Sequence, residues 1–339
     1  MTRLMDSCHR AIDYLRVSVT DRCNLSCIYC TPVNGVRWLP KEDLLTYEEI
    51  TTIAEVAAEL GITKVRLTGG EPLVRTDVPD LIDRLAHMPA IRDISLTTNG
   101  ILLKQYAREL KKAGLKRVNI SLDTLDRARF RSITRHDRLA DVMKGIEAAK
   151  GAGLDPVKIN VVAMCGVNDD EILDFARLTI SDGWHVRFIE LMPFAADTSE
   201  AGCGGGSGEL LQGQFMPVSE IQQILSSLGV LEIVAYIAGN GPAKYFRLPQ
   251  ATGTIGFISA VSQHFCDQCN RLRLTADGKL RLCLFSDDEI DLRVLLRGNT
   301  SSRDALKEAI VEAVKIKPRQ HQLSQGILPG KRFMSQVGG

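Results

Sequence analysis

Residues 20–30 read Thr20-Asp-Arg-Cys-Asn-Leu-Ser-Cys-Ile-Tyr-Cys30, a CxxxCxxC arrangement of Cys23, Cys27 and Cys30 that stops at three thiols. A four-iron cluster normally takes four cysteines, so three from one loop can hold a [4Fe-4S] core and leave one iron open to a small molecule. Cys27 and Cys30 can lie at most roughly 10 Å apart even in a fully extended chain, so the three sulfurs can face one compact centre. The other reading of the spacing is zinc, but a structural zinc site wants a closed set of four ligands and would have to recruit a distant one.

Working outward, Tyr14 to Val19 (YLRVSV) alternates and is rich in β-branched residues, so the cysteine loop hangs from the end of a short strand. Up to about residue 192, KVRLTG, IRDISLTTN, RVNISLD, VKINVVA and HVRFIELM follow, separated by helical stretches in a βα repeat. Thr46 with Glu49 forms a capping box before a helix from Tyr47 to Leu60 that Gly61 stops, and Asn168 with Glu171 reads as a second box. Six strands with right-handed crossovers give either a doubly wound sheet or a barrel, and six rather than eight points to an α/β fold built as an incomplete (β/α)6 barrel, followed by an α+β region.

Side-chain parity sharpens this. Leu15, Val17 and Val19 oppose Tyr14, Arg16 and Ser18, and Val65 and Leu67 oppose Lys64, Arg66 and Thr68. Val118, Ile120 and Leu122 likewise oppose Asn119, Ser121 and Asp123, while Val157, Ile159 and Val161 oppose Lys158 and Asn160. Helices covering the apolar face leave the polar, cationic face to line a cavity. The two expected domains are residues 1–230, the partial barrel with the first cluster, and 231–339, a region closing the barrel with a second cluster and a Gly-Gly tail. Ala195 to Ser207 is a glycine-rich run read as a linker; beyond it come a helix from Val218 to Leu228, strand-like pieces and a helix from Arg303 to Val314.

With 339 residues, 45% of them hydrophobic, the chain can bury a full core. The 42 basic and 41 acidic residues give no bulk electrostatic support for nucleic-acid or membrane-surface binding. No segment approaches about 18 uninterrupted apolar residues and no apolar leader is evident, so the expected location is the cytoplasm. In a reducing compartment nine cysteines point to metal or redox chemistry rather than to disulfides.

Cys266, Cys269 and Cys283 form a second set of three, CxxC and then a lone cysteine after thirteen intervening residues. A zinc ribbon would bring two CxxC pairs, so this set favours another cluster with an open iron, although His264 could close it as a fourth ligand. Cys8, Cys165 and Cys203 have no partner at ligand spacing. Gly69-Gly-Glu-Pro72 closes the second strand at the same end as the first cysteine loop, where glycines let backbone approach a ligand. Arg16, Arg66, Lys158, Arg271 and Arg273 offer cations to an anionic substrate, and arginine forks suit phosphate oxygens.

The cysteine loop, the GGEP segment and the βα units together resemble the radical S-adenosylmethionine superfamily. TDRCNLSCIYC, RLTGGEP, TTNG, NISLD, FCDQCNRLRLT with Cys283, and the terminal Gly338-Gly339 resemble, within it, the GTP 3′,8-cyclase family of molybdenum cofactor biosynthesis, from about Ile12 to the last residue. The resemblance implies two [4Fe-4S] clusters, on Cys23, Cys27 and Cys30 and on Cys266, Cys269 and Cys283, with S-adenosylmethionine held near Tyr29, Gly70, Ser121 and Met192. It implies GTP binding by Arg16, Arg66, Thr97, Lys158, Arg271, Leu272 and Arg273, with Arg16, Arg271 and Arg273 also serving catalysis. Further implied are a low-potential electron donor, product transfer to a cyclic pyranopterin monophosphate synthase, a monomeric or homodimeric state, and no nucleic-acid or membrane partner. The Gly-Gly end could fray or act as a sulfur-carrier terminus; the resemblance implies a tail that enters the active site. Metal analysis with electron paramagnetic resonance on anaerobically purified protein is expected to find iron at both sets; zinc without iron would end the enzyme reading.

Overall fold

The computed structural model describes residues 3–32, 35–194, 213–234, 241–298 and 302–338. The expected glycine-rich linker with Cys203, and the terminal Gly339, lie outside the described residues.

Six βα units run along the chain as the alternation predicts. Their strands are β1 (Tyr14–Ser18), β2 (Lys64–Thr68), β3 (Asp93–Thr98), β4 (Arg117–Ser121), β5 (Val157–Ala163) and β6 (His185–Glu190). The helices between and after them are α1 (Tyr47–Glu59), α2 (Val78–Ala86), α3 (Leu103–Lys112), α4 (Arg127–Thr134), α5 (Leu139–Gly151) and α6 (Ile172–Ser181). At the start of α1 the capping box forms: Thr46 Oγ1 accepts from the Glu49 amide at 3.2 Å and Glu49 Oε2 accepts from the Thr46 amide at 2.7 Å. The second expected box does not. Asn168 makes no cap and instead accepts from Met164 N and donates to the carbonyls of Asp123 and Val162, while Glu171 accepts from Thr124 and Leu125. Both side chains are buried between loops, where those backbone groups outcompete a helix end.

The C-terminal part adds α7 (Val218–Leu225), β7 (Glu232–Ile233), β8 (Lys244–Arg247), β9 (Thr254–Ile258), β10 (Arg271–Leu274), β11 (Lys279–Arg281), β12 (Glu289–Asp291), α8 (Leu292–Arg297) and α9 (Arg303–Lys315). Its strands do not form a separate layer. Among the described residues one sheet runs β12-β11-β10-β1-β2-β3-β4-β5-β6-β9-β8-β7. β10 pairs parallel with β1 and β9 parallel with β6, so the six-stranded parallel run gains a strand at each edge before antiparallel strands end it. The ends do not meet, and the barrel is open.

Register turns the predicted parity into two faces. Arg273, Arg16, Arg66 and Ser95 stand in one row, and Thr97, Asn119, Lys158 and His185 in another. On the opposite face Leu15, Val17, Leu67, Val118 and Ile120 join the main hydrophobic core beneath the helices. Each such burial contributes roughly 1.5–3 kcal/mol, enough to fix which face each strand turns inward. Among the described residues no helix is long and apolar enough to cross a membrane.

Candidate active site

The polar face encloses one cavity, and both cysteine sets line it. The first hangs from β1 and is gripped by the strand-end segment of β2. Val19 N donates to Thr68 O at 2.9 Å, Gly70 N to Thr20 O at 2.8 Å and Glu71 N to Arg22 O at 2.8 Å, so backbone pairing continues past both strands. This explains the glycines: a Cβ at Gly69 would sit 2.5 Å from Thr20 O, and one at Gly70 2.4 Å from Arg22 O. Their first duty is to let the cysteine loop close on the GGEP segment.

Glu71, 1% exposed, gathers Leu73 N, Thr98 Oγ1 and Asn99 N at 2.6–3.0 Å, tying the ends of β2 and β3 together. Asn99 then donates to Asn24 Oδ1 at 2.7 Å and reaches Cys23 Sγ at 4.0 Å, while Leu25 N points at the same sulfur at 3.4 Å. Across the loop Tyr29 donates to Asp123 Oδ2 at 2.5 Å, and Val162 N holds the other carboxylate oxygen. Burial pushes Cys23 up to about 11, with the Glu71 carboxylate adding to it, and burial raises Cys27 and Cys30 further.

The second set is braced by cations. Arg10 donates to Cys266 O at 2.7 Å, and Lys317 donates to Arg271 O at 3.0 Å and to Leu282 O. Burial alone would raise Cys269, but Arg271 and Lys317 bring it down to about 7. Arg16, Arg66, Arg271 and Arg273 line the same cavity. Burial lowers Arg16, Arg66 and Arg273, the last to about 9, and Arg273 and Arg16 are each pressed further by neighbouring arginines. Buried guanidinium groups in mutual repulsion make a site that an anion stabilises. The tail enters here: Gly338 O accepts from Arg16 at 3.0 Å and Arg273 at 3.2 Å.

Of the residues expected from the sequence, all but Lys158 and Leu272 line this cavity. Leu272 falls between two inward arginines, so its side chain turns into the hydrophobic core, 1% exposed, and only its backbone can serve a ligand. Lys158 lies one inward position below Asn160, 3% exposed, donating to Tyr245 Oη at 3.1 Å. The sequence reading passed over Asn160, Arg187, Asp123 and Asn99 as site residues, all lining the cavity. Arg187 obeys the parity already used for the other strands, and a Cβ at Gly256 beside it would sit 2.9 Å from its Cγ. Tyr14 Oη, Asn160 Oδ1 and Arg187 Nε are buried without a hydrogen-bond partner among the described residues, as groups awaiting a polar ligand would be.

Residues 17–179 match the model of the radical SAM superfamily and residues 184–323 that of the molybdenum cofactor synthesis C-terminal region. The GTP 3′,8-cyclase of Pelotomaculum thermopropionicum is 49% identical over 337 residues, covering 99% of this chain and 100% of the relative. That of Moorella thermoacetica is 50% identical over 336 residues, covering 99% and 100%. The chain belongs to the GTP 3′,8-cyclase family. Streptococcus suis SuiB bound to S-adenosylmethionine shares the fold with a TM-score of 0.58 at 14% identity, over 90% of this chain and 66% of that one.

The family implies iron-sulfur clusters, and the donors fit them. Each set presents three unoxidised, half-buried thiols to one cavity, with amide donors turned toward a sulfur of the first set. Among the described residues no three His, Cys, Asp or Glu side chains converge as they would around a single ion, so the fit rests on thiol chemistry and a shared cavity.

Lys158 permits a test of the buried cations. Burial, then Arg187, pulls its ammonium from 10.5 down to about 6. Between these values the unfolded chain holds the proton and the folded chain does not, so stability rises with pH. Lys158→Met is expected to raise the melting temperature most at the acid end of this window, its advantage shrinking as pH rises. Thermal unfolding of both proteins across the window checks this, and a pH-independent difference would contradict it.

Proposed function

We propose that this chain is a GTP 3′,8-cyclase, converting GTP to (8S)-3′,8-cyclo-7,8-dihydroguanosine 5′-triphosphate in molybdenum cofactor biosynthesis. The observation that carries the reading is a cavity lined by two three-thiol sets together with buried and half-buried arginines. Cys23, Cys27 and Cys30 would hold one [4Fe-4S] cluster, and Cys266, Cys269 and Cys283 the other. When bound, the first cluster with S-adenosylmethionine supplies a 5′-deoxyadenosyl radical for hydrogen abstraction from the ribose.

The chain's own residues bind, orient and shield. Tyr29, Gly70, Ser121 and Met192 would seat S-adenosylmethionine, with the Tyr29–Asp123 hydrogen bond fixing one wall. Arg16, Arg66, Thr97, Arg271 and Arg273 would hold GTP, and Lys158, neutral in the free protein, would take up a proton and add charge from below as the triphosphate arrives. Gly338 O is an uncharged acceptor for Arg16 and Arg273, so a triphosphate would be a stronger partner for the same guanidinium groups. Phe194, Phe285 and Val337 form an apolar cluster that Met192 and Met334 of the cavity lining join, which keeps water and competing hydrogen donors out. A low-potential donor would supply electrons, a cyclic pyranopterin monophosphate synthase would take the product, and the enzyme, monomer or homodimer, would work in the cytoplasm. SuiB, which binds the precursor peptide SuiA, shares the fold alone.

Incubation with S-adenosylmethionine, a low-potential reductant and GTP is expected to yield 5′-deoxyadenosine together with a cyclised product. Deoxyadenosine formation indifferent to GTP would sink the substrate assignment. Arg273→Ala is expected to lower turnover by on the order of 10²-fold with iron content retained, as loss of a buried charge-assisted contact would; loss of both clusters would mean a folding role instead.

A further inference from the structure

We infer that Arg332 is the latch that sets the register of the C-terminal tail in the active site. Its guanidinium lies between two carboxylates of the β10–β12 meander. Nε and Nη2 donate to Glu289 at 2.6 and 2.8 Å, and Nη1 and Nη2 to Asp277 at 3.2 and 2.8 Å. The three side chains are only 10–17% exposed. Both carboxylates are aimed in advance: Thr275 Oγ1 donates to Asp277 at 2.6 Å, and the fully buried Arg281 donates to Glu289. Such a doubly forked, mostly desolvated arrangement has one geometry, and lysine, a point charge, cannot reproduce it.

The tail makes no strand pairing among the described residues, and the apolar packing of Met334 and Val337 against Phe194 and Phe285 is non-directional, so the latch supplies the directional contact that fixes register. From Phe333 to Val337 its backbone bonds are local: Gln336 N to Phe333 O, and Val337 N to Met334 O. Just before the latch, Gly330 N donates to Asp287 Oδ2 at 2.9 Å. Six residues beyond Arg332, Gly338 O meets Arg16 and Arg273. A slip of one residue would move that carbonyl about 3 Å, beyond hydrogen-bond reach of either guanidinium. The meander carrying Asp277 and Glu289 also carries Cys283, so the tail and the second thiol set are held in one frame. Arg332 is therefore a positioning residue, acting through Gly338 on Arg16 and Arg273; its bearing on turnover rests on the cyclase reading.

The test is hydrogen exchange by mass spectrometry on the iron-loaded full chain, comparing wild type with Arg332→Ala, Arg332→Lys and the pair Asp277→Asn, Glu289→Gln. In Arg332→Ala the amides of 333–338 are expected to exchange on the order of tenfold faster, with iron per chain and protection of the β1–β6 strands unchanged. Arg332→Lys should fall between, and GTP-dependent turnover should drop in parallel. Unchanged tail exchange would overturn the proposal whatever the activity. So would loss of protection throughout β10–β12 together with iron loss, which would make Arg332 a brace for the meander. Faster tail exchange in a protein whose wild type makes no product from GTP would leave the latch standing and remove the cyclase reading.

Discussion

Everything in this fold depends on burying positive charge on one side of a sheet. Arg16, Arg66, Arg273 and Arg187 all stand on the inward face, and arginine has no neutral form to retreat to. Withdrawing each from water costs several kcal/mol. What offsets it is the other face of the same strands, where branched apolar side chains meet the helices in one continuous core. The alternation of strand side chains makes the two inseparable: any residue pushed outward to relieve repulsion would drag an apolar neighbour inward.

That coupling is why so much was legible in the sequence. Alternation is a local property, and it named the inner face of β1, β2, β4 and β5 correctly. Applied to His185-Val-Arg-Phe-Ile-Glu190 it would have found Arg187 as well, and applied to Arg271-Leu-Arg273 it would have kept the Leu272 side chain out of the cavity. The cysteine spacings were legible because ligand sets within one loop need little tertiary information.

What could not be read depends on contacts between segments distant in the chain. Gly69 and Gly70 look like a ligand-approach motif, yet their nearest neighbours are the carbonyls of Thr20 and Arg22. Asn168 and Glu171 have capping-box spacing, but buried backbone groups of other loops claim both side chains. The parallel docking of β10 on β1 and β9 on β6 joins residues some 250 and 70 positions apart, respectively, and no local pattern announces it. Arg332 is likewise one basic residue among 42 until Asp277 and Glu289 are seen around it.

Depth orders the cavity's charge. Of the carboxylates lining it, Asp123 follows the C-terminal end of β4 and Glu190 closes β6; the arginines of β1, β2 and β6 sit lower, within the strands. Burial lifts Asp123 to about 6, so the rim bears carboxyl groups while the interior carries guanidinium groups. A zwitterionic sulfonium ligand suits the rim beside the first thiol set, and a polyphosphate suits the interior. Exchanging them would bring a triphosphate against carboxylates and a sulfonium against guanidinium groups, both repulsive. Under the cyclase reading, the order in which two ligands stack is thus set by where each strand stops being basic, before either cluster contributes a bond.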